Sequence, residues 1–168
     1  MQNATPITRT ICCSVLALPF ASCRCVAPYA LDAPSVSEIE AGVRQMALSI
    51  SRDIASDGPN AWLSYFTGDR EFFMANNGNL QFSNFGDAKA FLNNFSTGIA
   101  HLELTWAEIR VDAVAPGVAV MASPYREVLT DAGGRVSHFD GYFTGLAVKT
   151  KTGWKLRDAH WSSPVTSP

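Results

Sequence analysis

At 168 residues the chain is long enough for one domain whose core needs no disulfide or metal staple. Thirteen Lys and Arg against fifteen Asp and Glu leave a formal net charge of -2, and neither sign forms a run, which argues against nucleic acid as a partner. A hydrophobic share of 47%, with four Trp and ten Phe, excludes a disordered chain.

The cysteines speak by position. Cys12, Cys13, Cys23 and Cys25 all fall within the first 25 residues, so the rest of the chain has neither a disulfide framework nor a zinc knuckle. One early Arg, Arg9, precedes an apolar run from Ile11 to Phe20 that is too short to span a bilayer and resembles the core of an export signal. Residues 1–23 are therefore expected to be a signal peptide. "FASC" is similar to a bacterial lipoprotein cleavage box, with Cys23 as the residue that would be lipidated, although Phe20 stands where Leu is usual. An ordinary signal peptide or a misplaced start codon is the alternative. The expected location is outside the cytoplasm, periplasmic or membrane-anchored, with the membrane touched only through a lipid at Cys23.

Residues 24–35, rich in Pro and Ala, read as a linker. Ser37 and Glu40 form a capping-box pattern, and Ile39, Val43, Met46, Ile50 and Ile54 recur at helical steps, predicting a long amphipathic helix that ends at Asp57 to Pro59. Pro59 can open a second, short helix carrying Trp62, Tyr65 and Phe66. Two β-prone runs flank Asn77 and Gly78, the pair that supplies positive φ at both centres of a tight hairpin. A third helix follows with Phe85, Ala88, Phe91, Leu92 and Phe95 as its apolar stripe and Gly98 as its stop. From Ile99 four β-type runs are separated by "APG", "DAGG" and "TKTG", turn chemistry suited to an antiparallel meander. Helices first and a meander after them imply an α+β domain with helices on one face of a curved sheet.

That element order, with "DGYFTGLAVKTKTGWKLRDAHWS" near the end, resembles the NTF2-like superfamily and in particular its SnoaL-like and DUF4440 branches. The motif residues are Gly141, Thr144, Lys149, Gly153, Trp154, His160 and Ser162, and Tyr142 stands where a basic residue is frequent. The resemblance implies an α+β cone over residues 36–163, a curved mixed or antiparallel sheet wrapped around about three helices, with residues 164–168 as a tail. It also implies a cavity under the helices, a homodimer through the sheet and, in enzyme branches, a carboxylate that moves a proton beside a carbonyl.

Alternation in the last strand places Trp154, Leu156, Asp158 and His160 on one face and Lys155, Arg157 and Trp161 on the other. His160, Asp158 and Asp140 are the acid/base candidates, each weighed against a purely structural hydrogen-bonding role. Trp62, Tyr65, Trp106, Tyr125, Tyr142 and Thr144 are the candidate ligand-binding wall, with packing as the plainer alternative. A metal shared by His138, Asp140, Asp158 and His160 is disfavoured, because the expected register separates His138 from His160 by about 20 Å. No metal or cofactor is expected, and no motif for nucleophilic hydrolysis or nucleotide chemistry is present. The functional expectation is an exported domain holding a small, largely apolar ligand. The alternatives are an isomerase, cyclase or dehydratase working by proton transfer, and a non-catalytic homodimerisation module.

Overall fold

A computed structural model describes residues 31–68 and 71–164, so the expected signal peptide, Cys23 and most of the linker lie outside the described residues. Helix α1 is Ala33–Asp57, a 3₁₀ helix covers Pro59–Ser64, and α2 is Phe85–Ser96. The strands are β1 (Phe73–Asn76), β2 (Asn79–Phe82), β3 (Ile99–Trp106), β4 (Arg110–Ala115), β5 (Val118–Asp131), β6 (Val136–Thr150) and β7 (Gly153–Ser162). Among the described residues no helix is long and apolar enough to cross a membrane.

α1 begins earlier than the capping-box pattern predicts. Asp32 is its N-cap, accepting from the Ser35 backbone N–H at 3.3 Å, so residues 33–35 belong to the helix and not to a linker. Its stripe of Ile39, Val43, Met46, Ala47, Ile50 and Ile54 is buried. Asn77 and Gly78 take φ of 48° and 81°, as a two-residue hairpin turn demands. The run from Ala100 to Val114, predicted as one strand, breaks at Ala107 to Ile109, and both pieces, β3 and β4, pair with β5. The sheet order is β2-β1-β7-β6-β5-β3, with β4 also on β5. All pairings are antiparallel except β1 with β7, so the sheet is mixed, curved and unclosed. The helices cover its inner face. Trp106 ties the two layers together, donating its indole N–H to the Ala47 carbonyl at 2.9 Å in the buried core.

β7 carries a bulge that the alternation argument does not foresee. Lys149 faces Trp154 and Ala147 faces Leu156, but Leu146 faces Asp158 and Thr144 faces His160, leaving Arg157 as the extra residue. One extra residue reverses the parity of the strand beyond it. Trp154 and Leu156 therefore share the inner face with Ala159 and Trp161, while Asp158 and His160 turn to the outer face. Trp161 becomes the hub of an aromatic cluster, with ring centroids 4.5 Å from Tyr125, 4.8 Å from Phe143, 5.6 Å from Trp62 and 5.8 Å from Trp106.

Residue count at the bulge should matter more than side-chain identity. Arg157→Ala removes only an ion pair with Glu71 at the surface and is expected to lower stability by less than about 1 kcal/mol in urea titration. Deleting residue 157 would swing Trp161 outward and is expected to abolish cooperative unfolding.

Candidate functional site

Inner-face alternation on β5 runs Ala119, Met121, Ser123, Tyr125, and all four are buried. The next residue in that series is Glu127. Its neighbours across the ladder are Leu104 on β3 and Phe139 on β6, so the carboxyl sits between apolar side chains. Glu127 lines a cavity of about 370 Å³ between the sheet, the β1–β2 hairpin and the helices. Trp62, Phe66, Phe82, Phe95 and Trp161 supply aromatic walls, and Phe91 and Phe139 are the exposed rings among its lining. Phe91 and Phe95 stack at 5.5 Å, and Phe82 packs on Phe91 at 5.2 Å.

Asn76, Asn77, Gln81, Tyr125, Glu127 and Ser163 supply the polar part of the lining. Tyr125 and Ser163 hydroxyls are 3.1 Å apart, and the Ser163 backbone N–H donates to Asn77 Oδ1 at 2.8 Å. Asn76 Nδ2 donates to Gln81 Oε1 at 2.9 Å across the hairpin. The Glu127 carboxyl has neither a hydrogen bond nor an ion pair to any described residue, and burial pushes its pKa up to about 7. Burial also raises the pKa of Tyr125, so its phenol remains a proton donor at neutral pH. A group that exchanges a proton near pH 7 thus lies on the same strand face as a hydroxyl donor, in a largely apolar hollow.

The expected site residues are divided by this geometry. Trp62 and Tyr125 line the cavity. Trp106 is packed in the core with its indole N–H satisfied, and Tyr65 donates its hydroxyl to Asp53, with a pKa pushed up to about 12 first by burial and then by that bond. Neither lines the cavity.

His160, Asp158, Asp140, Tyr142 and Thr144 are all on the outer face, away from the hollow. His160 is exposed, Asp158 accepts from the Leu146 backbone N–H at 3.2 Å, and Asp140 is paired with Arg126 at 2.9 Å. The bulge accounts for Asp158 and His160. Asp140, Tyr142 and Thr144 follow from the β6 register, in which Phe143, Gly145 and Ala147 are the buried set. His138 is exposed on the outer side as well, opposite Val128, and no cluster of three or more His, Cys, Asp or Glu suited to a metal occurs among the described residues.

Glu127, Trp161 and Ser163 were missed, though two had a signal in the chain. Tyr125 and Glu127 are two apart in one strand, so placing Tyr125 inward places Glu127 there too. Apolar positions 154 and 156 followed by 159 and 161 mark a one-residue slip of phase. Ser163 lies past the end of β7 and carries no comparable mark.

No known family's sequence profile matches the chain, and no curated protein matches it in sequence. Solved structures do. An NTF2-like superfamily protein from Salmonella enterica serovar Typhimurium superposes with a TM-score of 0.66 at 14% identity, covering 79% of this chain and 95% of that one. A candidate scytalone dehydratase from Novosphingobium aromaticivorans gives 0.67 at 14% identity, over 77% and 89%. A candidate dehydratase of the NTF2-like family from Streptomyces avermitilis gives 0.65 at 12% identity, over 77% and 99%. The chain therefore has the NTF2-like fold, an α+β cone. At these identities the likeness extends to architecture and not to chemistry.

The elevated pKa of Glu127 has a measurable consequence for stability. The folded state holds this proton more tightly than the unfolded chain, so the contribution is complete below the ordinary value of 4.5 and is lost as pH rises from there to about 7. Glu127→Gln removes the dependence. In urea titrations the variant is expected to gain on the wild type between pH 4.5 and pH 8.5 by on the order of 2 kcal/mol.

Proposed function

We propose that the protein is a small-ligand enzyme of the proton-transfer kind, an isomerase, cyclase or dehydratase, with Glu127 as its acid/base residue. The observation that carries this reading is an unpaired carboxyl, shifted to about 7, on the wall of an aromatic cavity. A hollow of about 370 Å³ is within the range that encloses small organic ligands. Ionised Glu127 takes a proton from the carbon beside a ligand carbonyl, and the C–H electron pair moves into the enolate. Tyr125 donates a hydrogen bond to the oxygen on which that charge develops. Protonated Glu127 then returns the proton, to another carbon for isomerisation or to a departing hydroxyl, which leaves as water, for dehydration. The NTF2-like folds of two candidate dehydratases are compatible with this chemistry without assigning it.

A panel of enolisable and β-hydroxy ketones tests the proposal. Glu127→Gln is expected to lower kcat/KM by about 100-fold or more, and Tyr125→Phe by about 10- to 100-fold. Full turnover in the Glu127 variant on compounds the wild type converts would refute it. His160→Ala is expected to leave turnover unchanged, since that ring is on the opposite face.

The outer sheet face supports a second, compatible proposal, a homodimer. It exposes Phe73, Val120 and Tyr142, while Arg126 with Asp140 and Arg110 with Asp112 neutralise one another on the same face. Two such faces can therefore stack without net repulsion. Sedimentation should give a dimer at micromolar concentration that Val120→Asp converts to monomer. A monomeric wild type would exclude it.

A further inference from the structure

The charge of the cavity lining constrains what can occupy it. Of the described residues on its wall, Glu127 alone bears a formal charge. The other polar groups are neutral hydroxyls and amides, and several already bond one another: Tyr125 with Ser163, Asn76 with Gln81, and Asn77 with the Ser163 backbone. No described cation lines the hollow to receive an anionic ligand. We infer that the cavity selects by charge, taking an uncharged, flat molecule with a hydrogen-bond-accepting oxygen and rejecting its carboxylate or phosphate counterpart, with Glu127 as the specificity-determining residue. This rests on the cavity being the ligand site of the preceding section and adds the substrate class to it.

Geometry gives the magnitude. A compact hollow of about 370 Å³ would be roughly 9 Å across, which places an anion bound against its wall within several ångströms of the Glu127 carboxylate. Like charges about 6 Å apart in a partly desolvated site repel enough to weaken binding about 100-fold. Flatness follows from the predominance of rings in the wall, where Trp62, Phe66, Phe82, Phe95 and Trp161 outnumber the aliphatic Met74, Leu92 and Leu129. The accepting oxygen has a defined partner in the Tyr125 and Ser163 hydroxyl pair, which shares the cavity with Glu127. An ammonium ion meets the opposite situation. It gains from both the carboxylate and the ring faces, but it holds Glu127 ionised in an ion pair and removes it from proton transfer. Cationic analogues are therefore dead-end ligands rather than substrates.

Three probes with one ring system separate these cases: 2-acetylnaphthalene, 2-naphthoate and 2-naphthylmethylamine, each titrated at pH 8 against the full chain by tryptophan fluorescence or calorimetry. With the wild type, naphthoate is expected to bind at least 30-fold more weakly than the ketone. In Glu127→Gln that gap should close to within about 3-fold, the ketone's Kd should move by less than about 3-fold, and the amine should lose about 10-fold or more. Glu127→Met supplies the same neutral wall if the Gln variant folds poorly. Naphthoate binding as tightly as the ketone to the wild type would overturn the inference. So would a gap that persists in both neutral variants, or binding of none of the three probes. Unchanged turnover in Glu127→Gln would sink the proton-transfer reading alone, whereas turnover that depends on Glu127 without charge discrimination would sink only this one.

Discussion

Arg157 has no partner across the β6–β7 ladder, and the character of both faces of the sheet depends on that extra residue. Without it, Asp158 and His160 would follow Trp154 and Leu156 inward, and Trp161 would be left in water. With it, the indole enters the centre of a ring cluster that includes Trp62, Tyr125 and Phe143, and two polar side chains leave the core. Burying a Trp stabilises by more than a surface Asp or His can contribute, so the bulge is the low-energy solution for this sequence. The aromatic wall of the cavity is a direct consequence, because Trp62 and Trp161 meet edge to face at 5.6 Å on it.

That wall sets the chemistry of Glu127. A half-buried carboxyl between Leu104 and Phe139 has lost part of its hydration and found no described donor in exchange, so its charged form is disfavoured. A neutral or apolar residue at position 127 would relieve the cost. Local rules broken without structural compensation are characteristic of functional positions, where stability is traded for reactivity. By contrast, of the polar residues expected from the sequence to act, only Tyr125 lines the cavity; the others are on the outer face or satisfied within the fold. Asp140 is paired with Arg126, and Tyr65 is bonded to Asp53.

Much of the architecture was legible because it depends on periodicity and turn chemistry. The α1 stripe, the Asn77 and Gly78 turn and the meander all follow from spacing, and the NTF2-like resemblance holds at the level of fold. The site was less legible, since it depends on parity. Parity survives only while the ladder is regular, and one unpaired residue inverts it for the rest of the strand. The residues that usually announce chemistry, His160 above all, belong to the irregular strand. Glu127 belongs to a regular one, where a Glu in "YREVLT" resembles a surface residue until its alternation with Tyr125 is followed.

Position 141 shows how the rigid part of the fold holds the proposed donor pair. A Cβ on Gly141 would lie 2.0 Å from the Ser162 carbonyl oxygen and 2.8 Å from the Tyr125 ring, so only hydrogen fits there. That absence of a side chain lets the Tyr125 ring lie against β6 and lets the end of β7 approach it, which brings the Ser163 hydroxyl to 3.1 Å from the phenol. Asn77 fixes the same segment from the other side, donating its N–H to the Trp161 carbonyl at 3.0 Å and accepting from the Ser163 N–H. The donor pair is thus positioned by backbone packing on two strands and a hairpin. In the proposed reaction a donor held in this way would need little reorganisation as charge develops on a bound oxygen, which is how a preorganised donor stabilises such charge.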